Sequence, residues 1–356
     1  MTAQVLAAEE RYADELDHLA SADDGPRPPG WRLTPAAVIS FVMGSGRQVT
    51  PKFVGDRSLV ERAVVTLASE RALLLVGEPG TAKSMLSELL AAAVSGDSGR
   101  VVQGTAGTAE EHLRYGWNYQ LLLARGPVPE ALVPSPVLAA MRAGAVARVE
   151  EVTRCLPEVQ DALVSVLSDR RMAVPELAAT EQAQEGFNVI ATANLRDRGV
   201  SEMSAALKRR FNFEVVPPIA DPRAEVSLVR ARATETLARH GAPLEVDDAV
   251  LEALVTTFRD LRLGAAAEGW PVERPTAVMS TAEAVAVAGA LGLQSAYLGV
   301  TDPVSLLPGY LLGTVRKDDP DDQGKLLAYW DTTIRRRAES GPRLWRRLYE
   351  LRDTLT

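Results

Sequence analysis

The sequence is poor in several features that define whole classes of protein. Only one of its 356 residues is cysteine, so no disulfide can form within the chain and a reducing compartment is expected. No apolar run approaches the roughly 20 residues that cross a membrane as a helix. The N-terminus carries Glu9, Glu10 and Asp14 and lacks the basic and then apolar pattern of a secretory leader. These absences predict a cytoplasmic protein with no membrane segment.

Excess positive charge is also lacking, because the formal net charge is −8. Contacts from Lys and Arg to phosphates supply most of the affinity of general nucleic-acid binding, so this balance argues against such a function. Two basic runs, 335–337 and Arg346-Arg347, are too local to reverse the argument. They are predicted to form a solvated helix face or a subunit contact. The length suggests about two domains, and the apolar content of 46% is ordinary for a protein with a proper core.

Short apolar segments alternate with helical patterns through the first part of the chain. Strands are predicted at 72–76, 100–103, 145–149, 187–192 and 211–216. Because strands that alternate with helices build a parallel sheet covered on both faces, the predicted fold class is α/β. After Pro217-Pro218 the strand patterns end. Helical patterns then prevail, with a capping sequence at 280–283, and they predict a helical second domain.

The first predicted strand leads into a glycine-rich loop and a Lys-Ser pair that opens a helix. The segment comprises Gly77, Glu78, Pro79, Gly80, Thr81, Ala82, Lys83 and Ser84. Such a loop binds nucleotide phosphates, because its backbone N–H groups and the positive end of the next helix point at the anion. Lys83 is predicted to reach the phosphates and Ser84 to hold Mg²⁺. Ala82 stands where the pattern G-x-x-x-x-G-K-[ST] has its last glycine, which crowds the helix start but removes no N–H donor.

The predicted strand at 145–149 ends in two carboxylates, Glu150 and Glu151. In ATPases with this type of loop, the first acid holds Mg²⁺ through water and the second polarises the attacking water. The first acid is usually aspartate, but the longer glutamate can still reach a Mg²⁺-bound water. We therefore expect Glu150 at the metal and Glu151 as the catalytic carboxylate, with a solvated strand end as the alternative. Arg148 is an unusual residue for such a strand.

Three further positions carry polar groups that suit a nucleotide site. Asn194 follows a strand and is predicted to orient the attacking water and sense the γ-phosphate, although an Asn there is commonly a turn residue. Either Arg209 or Arg210 could project into a neighbour's nucleotide as an arginine finger, or simply favour a helix C-terminus. Arg274, ahead of the helix at 281–290, is predicted to touch the γ-phosphate from the second domain or to form a salt bridge.

In their order along the chain, these residues resemble the AAA+ ATPases and, within them, the MoxR-type branch, over roughly residues 34–300. Gly77 to Ser84 is similar to the first nucleotide motif of that family, Glu150-Glu151 to the second, Asn194 to sensor 1, Arg209 or Arg210 to the finger and Arg274 to sensor 2. Residues 104–136 lie where the branch carries an insert in its second helix. Residues 171–186 correspond in position to the hairpin before sensor 1.

The resemblance implies a P-loop AAA+ domain, an αβα arrangement with a parallel sheet, followed by a smaller all-helical lid domain. The expected boundaries are 1–50 for a helical extension and linker, 51–220 for the nucleotide-binding domain and 221–356 for the lid domain with a C-terminal extension. ATP and Mg²⁺ are the implied cofactors. The resemblance further implies a hexameric ring that hydrolyses ATP. The implied activity is chaperone-like remodelling or maturation of a partner protein, often one with a von Willebrand factor A domain.

Three other functions compete with a remodelling ring. A nucleotide-gated scaffold with little hydrolysis is suggested by Ala82 and Glu150. A DNA-dependent motor is disfavoured by the acidic balance and by the absence of interleaved aromatic and basic residues. A small-molecule kinase fits worst, because neither a helical lid domain nor the paired arginines before the last strand are expected there.

Overall fold

The computed structural model describes residues 6–194, 202–242 and 246–355 of the chain. It divides into two compact units, each described here by itself. One unit is Met1–Glu78 with Ala82–Pro217, and the other is Pro79–Thr81 with Pro218–Thr356. Within the described residues, no helix combines the length and the apolar character needed to cross a membrane.

A parallel sheet of five strands forms the centre of the first unit. Its strands are β1 (Ala72–Val76), β2 (Val101–Gln103), β5 (Val146–Glu150), β8 (Asn188–Ala193) and β9 (Phe211–Val215). They lie in the order β2-β5-β8-β1-β9, and every neighbouring pair is parallel. All five strands predicted from the sequence are therefore confirmed, with ends that differ by at most one residue. The α/β fold class is confirmed with them.

Helices cover both faces of this sheet. In the first unit they are α1 (Ala8–Arg11), α2 (Ala13–Ala22), α3 (Pro35–Met43), α4 (Arg57–Leu67), α5 (Lys83–Ser95), α6 (Tyr119–Arg125), α7 (Pro136–Ala143), α8 (Pro157–Asp169) and α9 (Ala205–Lys208). Short 3-10 turns lie at Glu110–His112, Pro129–Ala131, Val152–Arg154 and Pro175–Leu177. The central strand β1 is buried along its whole length. Its Leu73 and Leu75 face a core shared with α1 to α5, whereas Leu74 and Val76 face a second core shared with α7 and α8. Two-sided burial explains why β1 reads as an unbroken apolar run.

Two antiparallel hairpins extend from the sheet domain. The first pairs β3 (Tyr115–Trp117) with β4 (Leu132–Pro134) and carries α6 between its strands. The second pairs β6 (Arg171–Val174) with β7 (Ala179–Gln182). They occupy the two segments that the sequence marks as an insert and as the hairpin before sensor 1.

The described residues of the second unit form helices joined by loops, with one isolated β-bridge between Ala265 and Pro271. Its helices are α10 (Pro222–Arg239), α11 (Asp248–Leu263), α12 (Thr281–Leu298), α13 (Leu307–Val315), α14 (Gln323–Tyr329), a π-helical turn (Trp330–Ile334), α15 (Arg335–Ser340) and α16 (Arg343–Glu350), with 3-10 turns at Pro303–Leu306, Pro320–Asp322 and Arg352–Leu355. The capping box predicted at the start of α12 is present: Ser280 Oγ accepts from the Glu283 N–H, and Glu283 reaches back to the Ser280 N–H.

The solvated face predicted for the basic run at 335–337 holds for Arg335 and Arg336, which are exposed, and is wrong for Arg337. Arg337 is 4% exposed and lies in the core of the second unit. Its guanidinium pairs with Glu268 at 2.6 Å and with Asp260 at 2.7 Å, and it lies over the Trp345 ring. A buried arginine needs such partners, and both carboxylates come from a segment distant in sequence, so the local charge pattern could not reveal them.

Candidate functional site

The glycine-rich loop leads from the end of β1 to the start of α5, as its sequence predicts. Gly80 has a φ of 75° and Ala82 a φ of 65°, so both adopt the left-handed conformation. For alanine that conformation costs about 1–2 kcal/mol, because its Cβ approaches the following carbonyl oxygen. The loop therefore keeps the backbone geometry that glycine would supply at position 82. Alanine in place of the usual glycine strains the backbone there but does not change the conformation of the loop.

Lys83 and Ser84 form the first turn of α5, where backbone N–H groups remain available to an anion. The Lys83 ammonium is 3.1 Å from the carbonyl oxygen of Gly77 and 2.8 Å from that of Glu78. It thus lies back along the loop, where phosphates would be bound. The Ser84 hydroxyl donates to Glu150 Oε2 at 2.7 Å. This bond joins the two motifs that the sequence places 66 residues apart.

Glu150 ends β5 in a nearly closed environment, with 4% of its surface exposed. Oε2 also accepts from the Thr192 hydroxyl at 2.7 Å, while Oε1 accepts from Ser87 and from Arg148. Burial opposes ionisation of the carboxyl group. The hydrogen bonds from Ser87, Ser84 and Thr192, together with the charge of Arg148, outweigh burial and hold the pKa of Glu150 below its ordinary value. The group is therefore an anion at neutral pH.

Glu151 lies directly beyond the strand and is less buried than Glu150. Its backbone is left-handed, with φ 52° and ψ 45°, which turns the chain sharply at this point. Its N–H donates to the Thr192 hydroxyl at 2.9 Å, and its carboxylate pairs with Arg154 at 2.6 Å. Non-glycine residues in this conformation concentrate at functional sites. Four described residues other than glycine have a positive φ; two of them, Ala82 and Glu151, belong to the predicted nucleotide site, and Arg170 and Ala178 do not.

Asn194 directly follows β8 and is 8% exposed. Since side chains two apart on a strand share a face, Asn194 continues the row that contains Thr192. That row adjoins β5, because Arg148 and Val149 pair with Ile190 and Ala191 of β8. The structure therefore brings the amide predicted to orient water to the same edge of the sheet as the acid pair.

The two finger candidates differ in their surroundings. Arg210 donates to the Ser168 hydroxyl at 2.7 Å and to the Ala206 carbonyl oxygen at 2.6 Å. Arg209 is exposed, and within the described part of the chain its side chain forms no ion pair or hydrogen bond. Of the two candidates, only Arg209 could therefore move its side chain without loss of contacts seen in the described residues. The finger role remains a prediction.

Arg274 belongs to the second unit, in the segment between α11 and α12. Its aliphatic stem lies against Gly264, the residue that ends α11 with a φ of 74°. A Cβ at Gly264 would come within 2.8 Å of Arg274 Cγ, so this contact requires glycine. A role of Arg274 at the γ-phosphate remains a prediction.

Comparison with known proteins assigns the two units. Residues 72–211 match the AAA domain of the dynein-related subfamily, and residues 223–356 match the YehL-like AAA+ ATPase C-terminal domain. The chain is 49% identical over 350 residues to Uncharacterized protein YehL of Escherichia coli (strain K12), an alignment that covers 97% of this chain and 95% of that protein. The chain belongs to the YehL-like family of AAA+ ATPases. Its MoxR-type character remains a prediction.

Other similarities are more distant. Uncharacterized protein SH1500 of Staphylococcus haemolyticus (strain JCSC1435) is 29% identical over 208 residues, which covers 58% of this chain and 74% of that protein. Among solved structures, NtrX from Brucella abortus in complex with ADP aligns with a TM-score of 0.47 and 16% identity. That alignment covers 68% of this chain and 51% of NtrX, so the chain spans about half the length of NtrX. A likeness of this degree carries no argument about function.

Four residues of this YehL-like site escaped the sequence analysis as participants: Ser87, Gly104, Arg148 and Thr192. Gly104 follows β2, and its N–H donates to the Glu150 carbonyl oxygen at 2.7 Å. A Cβ there would overlap the Glu151 carbonyl oxygen and come within 2.8 Å of that of Glu150. A glycine directly after a predicted strand was the available signal, because such a residue marks a close backbone approach. For Thr192 and Ser87 no local signal exists.

The residues present suit a magnesium ion that arrives with a nucleotide. Ser84 and Glu150 offer a hydroxyl and an anionic carboxylate, and Mg²⁺ prefers such oxygen donors. Within the described ranges, no group of three or more His, Cys, Asp or Glu side chains could hold a metal ion. A protein site this sparse fits the usual arrangement in which phosphate oxygens and water complete the coordination of Mg²⁺.

Proposed function

We propose that this protein binds ATP with Mg²⁺ and hydrolyses it. The observation that carries the proposal is the hydrogen bond from Ser84 to Glu150, which Thr192 extends to Glu151. Lys83 would bind the phosphates, and Ser84 with Glu150 would hold Mg²⁺. Glu151 would polarise the attacking water, a role that its greater exposure permits.

We further propose that the active form is a ring, of MoxR type and hexameric, in which each nucleotide receives a finger from a neighbour. The contacts of Arg210 within its own subunit favour Arg209 for this role. A finger supplied in trans accelerates phosphoryl transfer by several orders of magnitude, because it stabilises charge in the transition state. Asn194 and Arg274 would report the presence of the γ-phosphate.

The proposed outcome of hydrolysis is remodelling or maturation of a partner protein, one with a von Willebrand factor A domain. Resemblance to the MoxR branch supports this partner class. Exposed apolar side chains on the first hairpin support a protein-binding role for that hairpin: Tyr119 is 68% exposed and Leu123 of α6 is 89% exposed. Large apolar side chains exposed together commonly mark contact sites for other proteins.

The decisive measurement is the steady-state ATPase rate as a function of protein concentration. It should be made on the wild type, Lys83→Ala and Glu151→Gln, with Glu158→Gln as a control because Glu158 is exposed on α8. We expect the wild-type and control rates per subunit to rise cooperatively with concentration and the other two to collapse. A rate per subunit that does not depend on concentration would contradict catalysis in trans.

A nucleotide-gated scaffold is the second candidate, favoured by two observations. Ala82 strains the phosphate loop, and the ion pair with Arg154 at 2.6 Å engages the Glu151 carboxylate. This function predicts tight ATP binding and assembly with negligible turnover. Glu151→Gln would then change neither ATP affinity nor assembly, and its turnover would match that of the wild type.

A purified protein with a von Willebrand factor A domain tests the partner class. We expect it to raise the ATPase rate of the wild type, and Leu123→Asp to remove the stimulation without change in the basal rate. Val65→Asp is the matched control, because Val65 is also apolar and 66% exposed but lies on α4. Stimulation that survives Leu123→Asp would exclude the first hairpin as the contact.

A further inference from the structure

Arg148 places a positive charge inside the sheet domain, in the middle of β5. It is 9% exposed, although arginine is seldom buried to this extent without a partner. Arg148 and Glu150 are two residues apart on one strand, so their side chains share a face of the sheet. Their charged ends meet at 2.9 Å. The pair lies on the side of the sheet that α5 covers, since the guanidinium also reaches Ser87 of that helix.

The guanidinium of Arg148 is held by contacts on every nitrogen. Nε donates to the Ser87 hydroxyl at 3.0 Å, and one terminal nitrogen donates to the Ser98 carbonyl oxygen at 3.0 Å. The other donates both to Glu150 Oε1 at 2.9 Å and to the Ser84 carbonyl oxygen at 3.1 Å. Arg148 thus connects the acid of β5 to the first turn of α5, and its position is defined from several directions.

The contacts divide the Glu150 carboxylate into two halves. Oε1 faces Arg148 and Ser87, whereas Oε2 faces Ser84 and Thr192. Since a carboxylate has about four lone-pair positions, these four donors satisfy it fully. The oxygen on the Ser84 side is the one placed for a metal. The charge of Arg148 acts on the other oxygen, where burial leaves it weakly screened by salt.

We propose that Arg148 is a positioning residue that serves as an internal counter-cation for Glu150. It keeps the carboxylate oriented without a metal, and it lowers the affinity of the site for Mg²⁺. The inference rests on the proposed function, because it concerns the same Mg²⁺-nucleotide site. Its physical basis is that a cation approaching a carboxylate already paired with an arginine gains less electrostatic energy and is repelled by the guanidinium. Mg²⁺ is then retained only when phosphate oxygens add negative charge.

The test is a Mg²⁺ titration of the binding of a fluorescent ATP analogue to the full-length chain. Arg148→Met removes the charge at similar length, and Arg148→Lys retains it. We expect the half-saturating Mg²⁺ concentration to fall about tenfold in Arg148→Met, because a repulsive charge close to the metal is lost. In Arg148→Lys it should stay within about threefold of the wild type, since the charge is kept. Arg142→Met, which removes an arginine paired with Glu181 on the second hairpin, should leave it unchanged.

The direction of the shift separates this role from a merely structural one. Damage to the site would raise the half-saturating Mg²⁺ concentration, whereas loss of a counter-cation lowers it. An unchanged or raised value in Arg148→Met overturns the inference. If that variant does not fold by circular dichroism, Arg148→Gln, which removes the charge but keeps a hydrogen-bond donor, takes its place, and its half-saturating Mg²⁺ concentration must also fall below that of the wild type. Should the wild type itself show no Mg²⁺-dependent binding, the proposed function fails, a result distinct from the failure of this inference.

Discussion

At the scale of single residues, Thr192 connects the two carboxylates of the site. Its hydroxyl donates to Glu150 and accepts from the Glu151 N–H, so Thr192→Val breaks both bonds while keeping the volume of the side chain. A hydrogen bond to a buried charged group contributes about 1.5–3 kcal/mol. We expect the ATPase rate of Thr192→Val to fall about tenfold or more, because each 1.4 kcal/mol is a factor of ten.

Thr333→Val is the matched control for that substitution. Thr333 is equally buried, at 1% exposure, and within the described residues its hydroxyl has no hydrogen-bond partner. Its replacement by valine should leave the rate unchanged and the free energy of unfolding equal or higher, since an unsatisfied buried hydroxyl is removed. Equal rates in the wild type and in Thr192→Val would show that the acid pair does not depend on Thr192.

The lowered pKa of Glu150 predicts how stability depends on pH. A carboxyl group whose pKa is lower in the folded state than in the unfolded state adds stability above its unfolded pKa, near 4.5. That stability is lost as pH falls through the folded value. We expect the free energy of unfolding at pH 7 to be about 2 kcal/mol higher for the wild type than for Glu150→Gln. The substitution removes the charge, and so weakens the hydrogen bonds to this side chain and its buried pair with Arg148.

Urea unfolding at several pH values measures this difference. The difference in the free energy of unfolding between the wild type and Glu150→Gln should be constant from pH 7 to about pH 5. It should become smaller at lower pH, because Glu150 is then protonated in the folded state as well. Glu158→Gln, an exposed substitution on α8, should stay close to the wild type at neutral pH. A gap that widens as the solution becomes more acidic would mean that the pKa of Glu150 is raised rather than lowered.

At the scale of elements, the phosphate loop imposes its backbone conformation on an alanine. Ala82 adopts a φ of 65°, and glycine would do so without strain. The expected gain from Ala82→Gly is about 0.5–1 kcal/mol in the free energy of unfolding. The left-handed strain of about 1–2 kcal/mol is relieved, and the greater freedom of glycine in the unfolded chain offsets part of it.

Thermal or urea unfolding of Ala82→Gly and, for comparison, of Ala139→Gly tests whether glycine at position 82 raises the free energy of unfolding. Ala139 lies within α7, where glycine is expected to cost about 0.5–1 kcal/mol. The same substitution should therefore stabilise the protein at one position and destabilise it at the other. Destabilisation in both variants would indicate that the loop derives no benefit from glycine at position 82.

At the scale of the whole molecule, a finger supplied by a neighbour can be tested by mixing two inactive variants. Arg209→Ala retains an intact nucleotide site but has no finger, and Lys83→Ala retains the finger but has a damaged site. Each alone should be at least about a hundredfold slower than the wild type, since a finger contributes several orders of magnitude. Mixed assemblies contain interfaces that join an intact site to an intact finger, so their ATPase rate should recover to a substantial fraction of the wild-type rate.

Arg210→Ala serves as the control in the mixing experiment. Because Arg210 is bonded to Ser168 and Ala206, its loss should lower stability more than it lowers the ATPase rate. Recovery when Lys83→Ala is mixed with Arg210→Ala, but not with Arg209→Ala, would assign the finger to Arg210. Absence of recovery in both mixtures would argue for catalysis within single subunits.

The amino-acid sequence by itself determined the elements and their order. Apolar runs of strand length and the cap residue Ser280 act over a few residues, so local patterns suffice to place β1 and the start of α12. The phosphate loop and the acid pair were found in the same way, because each is contiguous in the chain. Such signals depend on backbone conformation and on the alternation of buried faces, both of which the local sequence controls.

Only the tertiary structure decided which side chains meet. Arg148 is only an unusual residue of β5 in the sequence, and the fold shows that Ser84, Ser87 and Ser98 hold it beside Glu150. Arg337 on α15 looks like a surface charge in the sequence and is buried against Asp260 once the chain has folded. Thr192 joins Glu150 and Glu151 only because the sheet order places β8 beside β5. Partners across 40 residues or more leave no periodicity to detect. The low-dielectric interior, rather than any local preference, makes their pairing obligatory.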